Sequence, residues 1–135
     1  MANIDHLGIA VKSLAQAAAF YRQIGLEVVG EETVEHEGVR VAMLPLGESR
    51  IELLEALAPE TPIGRFLARR GEGLHHVAIR VEDLSSTVEK LRAAGMRFIS
   101  EEIKVGAGGH LYVFLHPSST GGVLLELCED PPQGV

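Results

Sequence analysis

The sequence predicts an α+β fold made of two tandem βαβββ modules joined by a linker helix, and three observations predict it. The segment His6-Leu7-Gly8-Ile9-Ala10-Val11 reappears as His76-Val77-Ala78-Ile79-Arg80-Val81, at an offset of 70 positions (His6 to His76). Carried forward, the same offset places Leu14 on Leu84, Gly25 on Gly95, and Glu31-Glu32 on Glu101-Glu102. Within each copy an alternating apolar pattern gives way to a helical one and then returns, which reads as strand, helix and further strands. A gap-free repeat of this length marks a duplicated supersecondary unit.

The elements follow in order. The first strand of each module covers 4–11 and 75–81, where apolar and small or polar residues alternate. Ser13 and Asp83, matched under the offset, are the N-cap residues of the helices that follow. Gln16, three residues after Ser13, suggests a capping box. Leu14, Ala17, Ala18, Tyr21 and Ile24 form one apolar stripe at helical spacing, as do Val88 and Leu91 in the second copy. Gly25 and Gly95 end these helices as C′ residues. Three strands are expected after each helix, over 27–33, 39–44 and 49–55, then over 98–103, 111–116 and 123–128. His36-Glu37-Gly38 and Gly106-Ala107-Gly108-Gly109 read as hairpin connections. Thr61-Pro62 opens the linker helix through Phe66 and Leu67, and Gly71 or Gly73 ends it. Pro131-Pro132 reads as a frayed tail. Module one thus covers about 3–57, the linker helix about 61–71 and module two about 73–129, all within a single domain over 1–135.

Composition narrows the function classes. Apolar residues at 46% and charged residues at 23% are ordinary for a soluble globular domain. No apolar run approaches the roughly 20 residues that a membrane span requires. No secretory signal is visible at the N-terminus, and the lone Cys128 cannot form an internal disulfide, so a cytoplasmic location is expected. A formal net charge of −7 argues against nucleic-acid binding, which depends on Lys and Arg neutralising phosphates. Aromatics at 4%, with no Trp, weaken a base-stacking surface as well. An anionic small substrate stays possible, because a bound cation dominates the field around it.

Strand parity then selects candidate site residues. On the first strand Leu7, Ile9 and Val11 share one face while His6, Gly8 and Ala10 share the other. In the second copy Val77, Ile79 and Val81 lie opposite His76, Ala78 and Arg80. The branched face packs beneath the helix, and each histidine is followed on its own face by a very small residue that leaves room for an ion and a ligand. The last strands contribute carboxylates within apolar runs, Ile51-Glu52-Leu53-Leu54 and Leu124-Leu125-Glu126-Leu127, related by an offset of 74 (Glu52 to Glu126). A glutamate in such a run is costly to bury unless paired, hydrogen-bonded or metal-bound. Taken singly, a strand histidine reads as a packed, hydrogen-bonded residue and a strand glutamate as salt-bridged. The repeat relation favours a common role: His6, Glu52, His76 and Glu126 form a nitrogen and oxygen donor set suited to divalent Co, Mn, Ni, Zn or Fe. His75 has the wrong parity and is expected to point away. His36 and His110, at turns, are expected to be solvated, and His116 either lines a pocket or caps a strand end.

The segments Ile4-Asp5-His6-Leu7-Gly8-Ile9-Ala10-Val11, Gly73-Leu74-His75-His76-Val77-Ala78, Lys104-Val105-Gly106-Ala107-Gly108-Gly109, Phe114-Leu115-His116-Pro117 and Gly122-Val123-Leu124-Leu125-Glu126-Leu127 resemble the vicinal oxygen chelate superfamily and, within it, the methylmalonyl-CoA epimerase family. The resemblance implies a curved mixed sheet around a metal-binding cleft. It also implies a divalent ion, typically cobalt with manganese, nickel or zinc as alternatives, and epimerisation of 2-methylmalonyl-CoA at C2 through a metal-stabilised enolate. The family's metal ligands fall on His6, His76 and Glu126, with a fourth on Glu52. Epimerisation needs proton transfer on both faces of C2; Glu126 is the first candidate base. Some relatives carry a base glutamate three residues after the glycine matching Gly38, where this chain has Val41. Glu52, Glu37 or a bound water are then the choices for the second base, with Glu52 favoured. Lys104, Arg65, Arg69 and Arg70 are available to CoA phosphates or serve as solvated surface charges, and the glycine turn at 106–109 could present backbone N–H groups to the acyl end. A homodimer is the default assembly. Glyoxalase I, a non-catalytic antibiotic-binding protein and a ring-cleaving dioxygenase are the competing readings on the same module. The glycine turn, the low aromatic content and the chain length respectively count against them.

Overall fold

The computed structural model describes residues 2–131. In chain order its elements are β1 (Asn3–Ala10), α1 (Leu14–Gln23), β2 (Gly30–Val34), β3 (Val39–Leu46), β4 (Ser49–Ala56), α2 (Pro62–Arg70), β5 (Gly73–Arg80), α3 (Leu84–Ala93), β6 (Lys104–Val105), β7 (Leu111–Leu115) and β8 (Leu125–Glu129). This is the α+β order that the repeat implies. Two compact units result: among the described residues, His6–His75 forms one, and residues 76–131, with the start of β1, form the other. No helix among the described residues is long and apolar enough to cross a membrane.

In the first unit the strands are ordered β2-β3-β4-β1, with β1 parallel to β4 and the other neighbours antiparallel. α1 covers one sheet face, where Val11, Leu14 and Ala18 pack with Ala42, Leu44, Ile51 and Leu53. Two acceptors hold the helix start. Ser13 Oγ accepts from the Gln16 N–H at 3.2 Å, and Glu55 Oε2 accepts from the Leu14 N–H at 3.0 Å. The helix ends as its sequence requires: Gly25 adopts φ +91°, and the Leu26 N–H reaches back to the Tyr21 carbonyl. Thr61 Oγ1 accepts from the Gly64 N–H at 3.1 Å to start α2, and Gly71 ends it. Gly38 follows a single 3-10 turn at φ +65°, its α-carbon so near Thr61 that a Cβ there would lie 2.4 Å from Thr61 Cγ2.

The second unit repeats this plan with strands ordered β5-β8-β7-β6, β5 being parallel to β8. Leu84 and Val88 of α3 pack on Val113, Leu115 and Leu127. Asp83 caps the Ser86 N–H at 3.0 Å, and Glu129 Oε1 accepts from the Leu84 N–H at 2.8 Å. The Met96 N–H reaches back to Leu91 just as Leu26 reaches Tyr21.

One expected strand does not form. Over 98–103 the chain makes a single bridge, Phe98 to Leu115, and pairing resumes only at β6. The Ser100 hydroxyl meets the carbonyl of Glu102 at 3.1 Å and its N–H at 3.2 Å. These local side-chain bonds give the backbone an alternative to the ladder. The first unit's counterpart also starts late, at Gly30 rather than 27. Of the expected tail, Pro132 lies outside the described residues.

Candidate metal centre

Each unit brings one histidine and one glutamate together on the sheet face opposite its helix. In the first unit Gly8 lies beside Glu52 across the parallel β1–β4 pair, and Met43 flanks Glu52 from β3. In the second, Ala78 lies beside Glu126 across β5–β8, and Phe114 flanks it from β7. The register therefore repeats as well as the sequence, and in both units the small residue two places after the histidine faces the carboxylate.

His6 Nδ1 lies 3.4 Å from Glu52 Oε2, and His76 Nε2 lies 3.1 Å from Glu126 Oε1. All four residues are buried, with exposures of 4% for His6, 5% for Glu52, 6% for His76 and 8% for Glu126. Burying a carboxylate carries a large desolvation cost, so each of these needs a compensating partner. Glu52 has a further one: Arg50 Nε and Nη2 reach its Oε2 at 2.8 and 2.6 Å. Phe114 meets the His76 ring edge-on with centroids 5.2 Å apart, and Ala78, Tyr112 and Cys128 line the same face. Imidazole nitrogen with carboxylate oxygen, in an apolar surround, fits a first-row divalent transition ion better than the all-oxygen shell that calcium or magnesium prefers.

The other four histidines lie outside these pairs. His75 stacks edge-on against Phe66 of α2 at 5.0 Å, as its parity implies. His116 Nδ1 accepts from the Ser118 N–H at 3.1 Å and so caps the turn after β7. His36 is about half exposed at its turn beside Glu37. His110 departs from the solvated role expected of it. Its Nδ1 is 3.1 Å from the Ala107 carbonyl, bracing the glycine turn, and its Nε2 is 3.3 Å from Asp130. Asp130 belongs to a second cluster, in which Asp5, His110 and Asp130 have ligand atoms within 4.8 Å of one another. Arg80, 3.1 Å from the fully buried Asp5, already supplies its positive charge. Arg65, Arg69 and Arg70 are exposed on α2, with Arg70 over the Phe66 ring, while Val41 is buried on β3.

Residues 5–114 match the model of the glyoxalase/bleomycin resistance protein/dioxygenase superfamily. The chain belongs to that superfamily. It is 40% identical over 129 residues to the human mitochondrial methylmalonyl-CoA epimerase, covering 94% of this chain and 73% of the human one. It is 39% identical to the ethylmalonyl-CoA/methylmalonyl-CoA epimerase of Cereibacter sphaeroides, covering 92% and 95% of the two chains. A solved structure, a variant of the Streptomyces coelicolor methylmalonyl-CoA epimerase in complex with 2-nitronate-propionyl-CoA, is similar with a TM-score of 0.91 at 38% identity. That likeness covers 94% of this chain and 93% of the other.

Arg50, Glu55, Glu129 and the Asp5–Arg80 pair are the polar residues that reading the sequence missed. A signal existed for two of them: Glu55 and Glu129 stand at the same offset of 74 as Glu52 and Glu126.

Proposed function

We propose that the chain is a divalent-metal-dependent enzyme that epimerises 2-methylmalonyl-CoA at C2, with His6, Glu52, His76 and Glu126 as the ligands of one ion. The observation that carries this reading is the pair of equivalent buried His–Glu couples, one per unit, at 3.4 and 3.1 Å. Relatives near 40% identity that are named as methylmalonyl-CoA epimerases supply the substrate. The reading requires the two units to act as one domain, each contributing a histidine and a carboxylate. Cobalt is the ion favoured by family resemblance, and manganese, nickel and zinc suit the same donors. A homodimer in the cytoplasm is part of the same proposal.

When bound, such an ion supplies positive charge beside the thioester oxygen, where negative charge accumulates as the C2 proton leaves. The chain's own part is proton transfer. Inversion at C2 needs one group to take the proton from one face and another to return a proton to the opposite face. Glu126 and Glu52 are the proposed pair, because Val41 places an apolar side chain where some relatives carry a base. The glycine turn braced by His110 is proposed to bind the acyl end through its backbone, and the cations on α2 and Lys104 to meet the CoA phosphates.

A coupled assay with methylmalonyl-CoA and, separately, with the hemithioacetal of methylglyoxal and glutathione tests the reaction class. Turnover of the first substrate alone is expected. Turnover of the second without the first would replace the proposal with glyoxalase I.

A further inference from the structure

Glu52 carries its own cation. Arg50, two residues earlier on β4 and so on the same strand face, directs Nε at 2.8 Å and Nη2 at 2.6 Å to Glu52 Oε2, with only 17% of the Arg50 side chain exposed. His6 Nδ1 approaches that same oxygen at 3.4 Å. The carboxylate oxygen nearest the histidine is thus already held by a guanidinium. The second unit is built differently, since the residue matching Arg50 at the offset of 74 is the uncharged Leu124.

A divalent ion bound through a carboxylate oxygen sits about 2.0–2.2 Å from it. A guanidinium at hydrogen-bond distance from that oxygen would then face two positive charges across a few ångströms in a poorly screened site, which is strongly unfavourable. We infer that Arg50 is a resident counter-cation: it occupies Glu52 in the ion-free chain, yields Oε2 when the ion enters, and so weakens ion binding by competing for the ligand. This rests on the metal reading of the site. In the ion-free chain Arg50 also offsets the burial of the Glu52 charge, so its loss acts on the two states in opposite directions. An ion pair with a purely structural role would behave otherwise, because losing it would slacken the site and weaken ion binding as well as stability.

Arg50→Met keeps most of the aliphatic stem and removes the charge. Full-length chains, stripped with chelator and dialysed, are titrated with Co2+ by calorimetry and melted with and without Co2+. The substituted chain should bind Co2+ at least about tenfold more tightly. Its ion-free Tm should fall, and its Co2+-induced rise in Tm should grow. In a Glu52→Gln background the same change should tighten Co2+ binding by clearly less, since repulsion by the Arg50 charge remains but the contested carboxylate is gone. Should Arg50→Met fail to fold, Arg50→Lys carries the test, because an ammonium cannot reproduce the forked contact; it should also tighten binding. Unchanged or weaker Co2+ binding in either Arg50 variant overturns the inference and leaves the metal reading standing. No Co2+ binding by the unsubstituted chain overturns both.

Discussion

Substituting Gly38 should destabilise the chain through two separable effects, backbone strain and steric overlap. Gly38 and Gly47 share φ +65°, but their surroundings differ: a Cβ at Gly38 would lie 2.4 Å from Thr61 Cγ2, whereas a Cβ at Gly47 meets nothing within 4 Å. Gly47→Ala therefore isolates the left-handed strain, about 1–2 kcal/mol before a partial offset from the stiffer unfolded chain. Gly38→Ala adds an overlap that only a shift of Thr61 can relieve, and overpacking of this kind costs about 1–3 kcal/mol. The expected loss is about 1 kcal/mol at position 47 and about 2–4 kcal/mol at position 38. Thr61→Ser removes Cγ2 but keeps the hydroxyl that accepts from Gly64 and donates to the Ala58 carbonyl at 2.7 Å. In that background the Cγ2 overlap is gone and only the closer-than-usual Cβ contact at 3.0 Å stays, so Gly38→Ala should cost about 1–2 kcal/mol, a coupling of roughly 1–2 kcal/mol. Urea unfolding followed by circular dichroism measures all four chains, with m unchanged if two-state behaviour holds. Equal losses at 38 and 47, or a loss at 38 that survives Thr61→Ser, would refute the close approach of Thr61 to this turn.

Two further outcomes are expected. Glu55→Ala and Glu129→Ala each remove a carboxylate from a helix start and should each lower stability by about 1–2 kcal/mol; a near-zero effect in thermal melts would show that solvent replaces the cap without loss. His76→Ala and Glu126→Gln should each reduce kcat/KM for methylmalonyl-CoA by more than about 100-fold and weaken Co2+ binding measured by calorimetry, since first-layer ligands matter at least as much as the groups that orient them. Retention of both properties in either variant would remove that residue from the ion site.

The fold was legible in the sequence because duplication made local signals corroborate one another. Ser13 and Asp83, or Gly25 and Gly95, are ordinary capping residues alone, yet at a shared offset each confirms its partner. The two buried pairs, His6 with Glu52 and His76 with Glu126, were legible for the same reason, combined with strand parity. The strand expected over 98–103 did have a repeat partner, over 27–33, and there the repeat misled: the Ser100 side chain competes with the sheet ladder, which neither the offset nor propensity weighs. Features without a repeat partner were harder to see. Arg50 has no counterpart in the second unit, so the offset that revealed Glu52 could not reveal it, although its position two residues from Glu52 on one strand face was a usable signal. The His110–Asp130 contact joins a turn to a distant strand end, and sequence pattern does not encode such tertiary pairings.

On the proposed function, a divalent ion held by His6, Glu52, His76 and Glu126 permits the C2 proton of methylmalonyl-CoA to leave and return. Exchange of that hydrogen with solvent deuterium, followed by mass spectrometry, tests it most directly. Exchange should be fast with the Co2+-loaded chain, should stop when chelator removes the ion, and should return when Co2+ is restored. Exchange that continues at full rate after chelation, or fails to occur once Co2+ is restored, would contradict the account.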